Sequence, residues 1–243
     1  MNEGSQYSQH DLGEIDRIKE RYKRRDEQNF TRYSILNQDI LKIQQEKERA
    51  FVRWIKYACF SNIDQLKLLE IGSGYGGNLL EFIKLGFSPE NLLGNDIISK
   101  RIEISRSKLP SSVKIIEGDA AALNLPANTI DIVFQSMVFS SILENELKLK
   151  LANKMWNLVK QGGGILWYDF IYNNPQNKDV KGIPVKLLSR YFPSNEIKIW
   201  KITLAPPIAR LVSKVNPNFY NLLNMFPILR THVLCWIKKP ITD

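Results

Sequence analysis

Between Lys67 and Phe170, short continuous apolar runs alternate with stretches whose apolar residues recur at helical spacing. The runs Lys67–Ile71, Asn91–Ile97, Val113–Glu117, Thr129–Gln135 and Ile165–Phe170 read as strands. Gly77–Leu85, the stretch through Ile102 and Ile104 to Leu109, and Glu144–Lys160 read as helices, the last stopped by Gly162, Gly163 and Gly164. Strand and helix alternating at this rhythm predict right-handed crossovers and a mainly parallel, doubly wound α/β sheet.

The flanks differ from this centre. Ile15, Ile18 and Tyr22 recur at helical spacing in a charged opening segment, followed by a polar break over Asn29–Asn37. A second helix over Gln38–Tyr57 offers Ile40, Leu41, Ile43, Phe51, Trp54 and Ile55 for burial. This zone is too poor in apolar residues to fold alone, so residues 1–58 are expected to form a helical cap on a domain spanning 59–243. After Phe170 the pattern predicts a helix over Pro184–Tyr191, a strand over Glu196–Leu204 and a last strand over Thr231–Lys238. The Pro-punctuated stretch 205–230 reads as an insertion between those two strands.

Composition supports one globular core with additions: 243 residues, 44% hydrophobic and 24% charged. No apolar stretch reaches the roughly 18–20 residues of a membrane span. Met1–His10 is polar, without the apolar core of a signal peptide, and predicts a cytoplasmic chain. Cys59 and Cys235 both lie in apolar surroundings and read as buried free thiols, with no metal-ligand spacing. The net charge of +9 is concentrated late: Ile171–Asp243 carries eleven Lys/Arg against three acids. That excess can attract phosphate-bearing partners such as RNA, but the cations are spread among apolar residues and read as a solvated surface.

Candidate chemistry begins at Leu68-Leu69-Glu70-Ile71-Gly72-Ser73-Gly74-Tyr75-Gly76-Gly77-Asn78. A strand enters a turn whose glycines let backbone approach a ligand, and a helix starts directly afterwards. The glycine spacing alone also satisfies a dinucleotide site. Glu70 separates the two readings, because a carboxylate two residues before the first glycine repels a pyrophosphate and suits a ligand with an ammonium and a sulfonium. Asp96, at the end of the second strand, is placed to accept hydrogen bonds from both hydroxyls of a ribose. Further along come Glu117-Gly118-Asp119-Ala120 and Asp131-Ile132-Val133-Phe134-Gln135-Ser136.

In order and spacing these segments resemble the successive motifs of class I S-adenosylmethionine-dependent methyltransferases over roughly Lys67–Phe170. More loosely, Trp167–Pro175, Thr203–Pro207 and Leu229–His232 resemble bacterial methyltransferases associated with glycan and polysaccharide assembly. The resemblance implies a Rossmann-like, mainly parallel seven-stranded sheet with an antiparallel last strand, helices on both faces and an N-terminal helical addition. It implies that S-adenosylmethionine sits on Glu70, Gly72, Ser73, Gly74, Gly76 and Asn78, with Asp96 and Ile97 at the ribose. Asp119 and Ala120 would meet the adenine, and Gln135 and Ser136 the methionine part.

Methyl transfer to an alcohol needs a base. Of the two histidines, His10 lies in a polar tail and reads as solvated. His232 begins the last strand, which an antiparallel arrangement starts at the ligand edge, and an imidazole there is expected to titrate near neutrality. A hydrogen-bonded structural histidine is the competing reading. Asp169 is the second candidate, and Tyr168 and Tyr172 are either acceptor contacts or packing. The Asn/Asp-Pro-Pro-Tyr motif of amino-group methyltransferases is absent after the fourth strand, where Gln135-Ser136-Met137 stands, which argues for oxygen as acceptor. The expected partner is a small-molecule or glycan alcohol. RNA methylation and a non-catalytic cofactor-binding platform remain as alternatives; for Phe219, Tyr220, Leu222, Leu223, Met225, Phe226 and Ile228 the blander reading is packing on the sheet, and the sharper one an apolar acceptor pocket, a lipid-linked substrate or a homodimer contact.

Overall fold

The computed structural model describes residues 9–28, 32–175 and 177–241. Among them seven strands form one sheet: β1 (Leu68–Ile71), β2 (Leu92–Asp96), β3 (Lys114–Glu117), β4 (Ile130–Ser136), β5 (Val159–Phe170), β6 (Ile197–Leu204) and β7 (Arg230–Lys238). The order is β3-β2-β1-β4-β5-β7-β6. β1 to β5 pair parallel, while β7 is antiparallel to both β5 and β6. The strand order reverses between β1 and β4, which leaves a crevice at their carboxyl ends. This is the Rossmann-like arrangement expected above.

Helices α1 (Gln9–Gln28), α2 (Gln38–Ala58), α3 (Gly77–Lys84), α4 (Ser99–Lys108), α5 (Asn145–Leu158) and α6 (Leu188–Tyr191) cover the sheet. The two N-terminal helices take opposite faces. Ile18 of α1 joins Leu147, Leu151 and Met155 of α5 against Ile71, Val133 and Trp167. Ala50, Phe51 and Trp54 of α2 pack with Leu79 and Phe82 of α3 against Leu68, Phe134 and Trp236. The central strands are mostly apolar because both their faces are covered in this way. Phe51, Phe82 and Phe134 meet edge-on or stacked at 5.1–5.6 Å between ring centres, so α2 is fastened to the sheet through aromatic contacts.

Three expectations need correction. Gly162–Gly164 do not stop α5, which already ends at Leu158; they belong to β5. There Ile130 faces Val159 but Ile132 faces Gly164, so the glycines sit in a bulge. A Cβ on Gly163 would lie 2.4 Å from the Asp131 carbonyl oxygen, which is why only glycine fits there. Cys235 is buried as expected, but Cys59 is exposed, where it caps α2 in a left-handed conformation at φ 53°. The insertion forms α7 (Pro206–Val215) and α8 (Asn218–Leu223) and packs inward through Ala209 and Tyr220, with Leu223 half-buried; Phe219, Leu222, Met225, Phe226 and Ile228 do not pack on the sheet and face solvent.

His10 falls in the first turn of α1, and its side chain lies outside the described residues. The polar break over Asn29–Asn37 is described only from Arg32, where the chain turns. Among the described residues no helix is long and apolar enough to cross a membrane.

Candidate active site

The glycine turn after β1 has the backbone its composition requires. Gly72, Gly74 and Gly76 hold φ of 68°, 54° and 79°, all in the left-handed region. The turn is pinned to β2: Ser73 N–H donates to the Asn95 carbonyl at 2.8 Å, and Gly74 N–H donates to Asp96 Oδ2 at 2.8 Å. Asp96 Oδ1 accepts from Ile98 N–H at 2.9 Å, so this carboxylate also orders its own loop. Burial raises the Asp96 carboxyl above its ordinary range, while its backbone donors and Arg101 oppose the shift.

Beneath the turn the crevice is lined by Ile71, Gly72, Asn95, Asp96, Ile97, Asp119, Ala120, Ser136 and Val138. Several expected residues therefore converge on one place. Asp119 Oδ1 caps the following turn by accepting from Ala121 N–H at 3.0 Å, whereas its buried Oδ2 has no partner. Glu70 is fully buried at the end of β1; Oε1 accepts from Asn78 Nδ2 at 2.6 Å and Oε2 has no partner. Two buried carboxylate oxygens without donors suit a ligand that brings N–H groups, because an unmet buried acceptor is costly.

Other expected contacts are arranged differently. The buried Ser73 hydroxyl has no hydrogen-bond partner and points under the turn, 2.8 Å from where a Cβ on Gly94 would sit. The Gln135 amide is committed to backbone, donating to the Tyr168 carbonyl at 3.3 Å and accepting from Val138 N–H at 2.9 Å. Asn78 bridges Glu70 to Lys47 of α2, whose Nζ donates to Asn78 Oδ1 at 2.6 Å. Burial pushes the Glu70 carboxyl up, against the pull of Asn78 and Lys47, and pushes the Lys47 amine down.

Lys47 was not foreseen, although a signal existed. It stands four residues after Ile43 and four before Phe51, inside the apolar stripe of α2, and so had to point at the sheet. The same holds in α1, where Glu14 and Arg21 fall in the stripe with Ile18. Buried Glu14 accepts from Leu143 N–H at 2.8 Å and from Arg21 at 2.9 Å. Arg21 and Tyr22 reach the Ser141 carbonyl and hydroxyl at 3.0 and 2.9 Å, and Arg17 pairs with Glu144. Ile15, Ile18 and Tyr22 thereby roof the crevice and leave a cavity of about 90 Å³. Sites for drug-sized ligands measure roughly 300–1,000 Å³, so the roofed crevice is smaller than such a site.

The two catalytic candidates lie on opposite faces of the sheet, since Phe170 rather than Asp169 pairs with His232. Asp169 is fully buried on the α5 side and accepts from Ser140 N–H at 3.1 Å and from its neighbour Phe170 N–H at 2.9 Å. His232 lies on the α2 side, stacked on Tyr168 with ring centres 5.4 Å apart and edge-on to Phe170 at 5.8 Å. Its Nδ1 shares a hydrogen bond with Thr231 Oγ1 at 3.0 Å, and Nε2 has no partner among the described residues. Near-neutral titration does not hold for this imidazole: burial, reinforced by the Lys47 charge, pushes it down to about 3, so it stays neutral. Tyr168 is buried, its hydroxyl 3.0 Å from Thr203 Oγ1, while Tyr172 is exposed.

Asp169 instead titrates near neutrality, pushed up to about 7 by burial against the donors at Ser140 and Phe170. Its folded value lies above the unfolded one, so the folded chain holds this proton more tightly. Stability is therefore greatest below the ordinary value of 3.8 and falls as pH rises through about 7. The fall approaches roughly 4 kcal/mol at the limit. Thermal melts across pH 4 to 8, in steps of about one unit, should show this decline in the native chain and a much flatter profile in Asp169→Asn. Matching profiles would remove Asp169 as its source.

Residues 68–163 match a family profile described as a methyltransferase domain. Over 42% of this chain the sequence is 28% identical to the ubiquinone/menaquinone biosynthesis C-methyltransferase of Citrobacter koseri, and the match spans 42% of that protein. The chain thus covers less than half the length of that curated relative. Among solved structures, an S-adenosylmethionine-dependent methyltransferase from Mesorhizobium loti superposes with a TM-score of 0.55 at 14% identity, over 76% of this chain and 96% of that one. Phosphoethanolamine N-methyltransferase 1 of Haemonchus contortus, solved with phosphoethanolamine and S-adenosylhomocysteine, superposes with a TM-score of 0.63 at 12% identity, over 95% of this chain and 50% of that one. These structures share the fold of the chain.

Proposed function

We propose, from the premise that residues 68–163 are a class I methyltransferase domain, that the chain transfers a methyl group from S-adenosylmethionine to an alcohol oxygen of a small molecule or glycan. The observation that carries the reading is the glycine turn above a crevice lined by Asp96 and Asp119, with donorless carboxylate oxygens at Asp119 Oδ2 in that lining and at Glu70 Oε2 in β1. Glu70 faces the ammonium end, Asp96 the ribose and Asp119 the adenine amine. The cofactor supplies a methyl already activated on a sulfonium. What remains for the protein is to align the acceptor oxygen opposite the leaving sulfur and to take its proton.

His232 suits the second task. Its ring is held by Tyr168 and Thr231 at the carboxyl edge of β5, with Nε2 open. When Nδ1 carries the hydrogen, donated to Thr231 Oγ1, the lone pair on Nε2 accepts the hydroxyl proton. A depressed basicity is compatible with this role, because the oxygen becomes strongly acidic as its new bond to carbon forms. The Lys47 charge nearby also keeps the ring from being protonated idly by solvent.

Two measurements test the reading. Isothermal titration should show S-adenosylmethionine binding and no NAD binding. Labelled-methyl assays against sugars, phenols and tRNA should place the label on oxygen of a small acceptor; labelled tRNA, or binding without transfer to any acceptor, would replace the proposal. Gly72→Ala is expected to weaken cofactor binding at least tenfold. Its Cβ would sit 2.5 Å from Val138 Cγ2, on a backbone at φ 68° that costs a non-glycine residue roughly 1–2 kcal/mol. Unchanged affinity by titration would refute that placement.

A further inference from the structure

Past the carboxyl end of β5, on the α5 side, lies a second cavity of about 640 Å³ that shares no lining residue with the crevice. Its wall combines Tyr172 and Asn173, the segment 181–184 and the outer turns of α5 and α6. Three cations line it, Lys148, Lys181 and Arg190, and no acid does. Lys148 is the telling one. It occupies the apolar stripe of α5 beside Leu151 and Ala152 and is only 2% exposed, yet its ammonium makes no hydrogen bond among the described residues. The carboxylates that feel its charge are engaged elsewhere: Glu14 with Arg21, Arg17 and Leu143 N–H, and Asp169 with Ser140 and Phe170 N–H. Burial and the nearby Lys181 hold the Lys148 amine below its ordinary range, against the pull of Asp169 and Glu14.

We propose that this cavity binds the anionic end of a small molecule, a phosphate monoester or a carboxylate, with Lys148 at its floor and Lys181 and Arg190 at its mouth. The concave shape and volume suit a small ligand rather than an extended polyanion. Tyr172, Ile183 and Leu187 offer apolar surface to the body behind the charged group. The walls are pre-formed: Gly182 N–H donates to Asn173 Oδ1 at 3.0 Å and Ile183 N–H to the Phe170 carbonyl at 2.9 Å. The site stands on this cavity alone and does not depend on methyl transfer.

The test is a backbone amide NMR titration of the full chain with inorganic phosphate and with acetate, at ionic strength held constant by sodium chloride. Saturable shifts centred on Lys148 and residues 181–183 are expected, weakened at least tenfold in both Lys148→Met and Lys181→Met. Tighter phosphate binding identifies a phosphate ester, and tighter acetate binding a carboxylate. Lys148→Met should also melt higher than the native chain, since it removes an unmatched buried charge at nearly constant volume. Linear shifts shared with chloride, or native affinity in the Lys181→Met variant, overturn the proposal, and the latter decides even where Lys148→Met fails to fold.

The 205–229 insertion presents another unassigned surface. Leu211, Val215, Leu222, Met225, Phe226 and Ile228 are 54–85% exposed on α7, α8 and the turn that follows, beside the sheet-edge strand β6. Monomeric proteins seldom leave so many large apolar side chains together in water. The stretch 205–229 contains no Asp or Glu, while Arg210 and Lys214 stand on α7. We infer that this face docks on an anionic lipid bilayer, with apolar side chains entering the interface and the cations meeting headgroups. The full chain should co-sediment with phosphatidylglycerol-containing vesicles and less with pure phosphatidylcholine. The triple change Leu211→Asp, Met225→Asp and Ile228→Asp, at exposed positions, should abolish this without shifting the melting temperature. Absence of vesicle binding, or a micromolar dimer that the same changes dissociate, would overturn the inference.

Discussion

Replacing His232 with Asn lowers kcat by about 10²–10⁴-fold on the present reading, while the dissociation constant for S-adenosylmethionine stays near its native value. Asn keeps a polar side chain of similar reach against Thr231 but offers no basic nitrogen to the acceptor. The ring lies on the α2 face under Tyr168, outside the residues that line the cofactor crevice, so binding and chemistry should separate cleanly. The pH profile adds an independent check. Because burial holds this imidazole at about 3, the native rate should show no inflection near the ordinary histidine value of 6.5 that vanishes in the variant. Near-native turnover in His232→Asn, measured with labelled cofactor, would return the residue to a structural role.

Glu46→Ala is expected to destabilise the fold by about 3–5 kcal/mol, the second large effect. Glu46 is buried in α2 and accepts from Thr203 N–H at 2.9 Å, from Tyr220 Oη at 2.7 Å and from Asn224 Nδ2 at 2.6 Å. Truncation leaves three donors without an acceptor and releases the end of β6, where Thr203 is held at φ 67° despite its branched side chain. Burial and the Glu46 charge both push the Tyr220 hydroxyl upward, so tyrosinate formation offers no substitute arrangement. Glu46→Gln, which keeps one carbonyl acceptor, should fall between. Chemical denaturation compares the three, and an Ala variant within about 1 kcal/mol of native would show that the network contributes little.

The central architecture was legible because β1, β2 and β4 carry short, mostly apolar runs, and because the glycine turn after β1 suits a strand-to-helix junction. Gly162–Gly164 misled, since glycine past a helical stretch signals a cap and a bulge alike, and only the register against Ile130 and Ile132 separates them. The edge position of His232 was legible because it lies at the start of an antiparallel strand, but its charge state was not, as depth beneath α2 leaves no trace in spacing. Lys47 and Lys148 were hidden for a related reason. Each is polar by type but turned inward by position, and binary patterning reads the type first. The helical stripe Ile43–Lys47–Phe51 and the stripe Lys148–Leu151–Ala152 would have revealed both. The apolar patch of the insertion was legible, but the favoured reading packed it on the sheet because apolar residues are expected to find a core.

Glu46 and Lys47 are consecutive residues, yet one grips the insertion and the other grips the bridge to Glu70. A helical rod is stiff along its length, so neighbouring residues cannot travel separately. Any displacement of α2 would therefore carry the insertion's anchor and the bridge to Glu70 together.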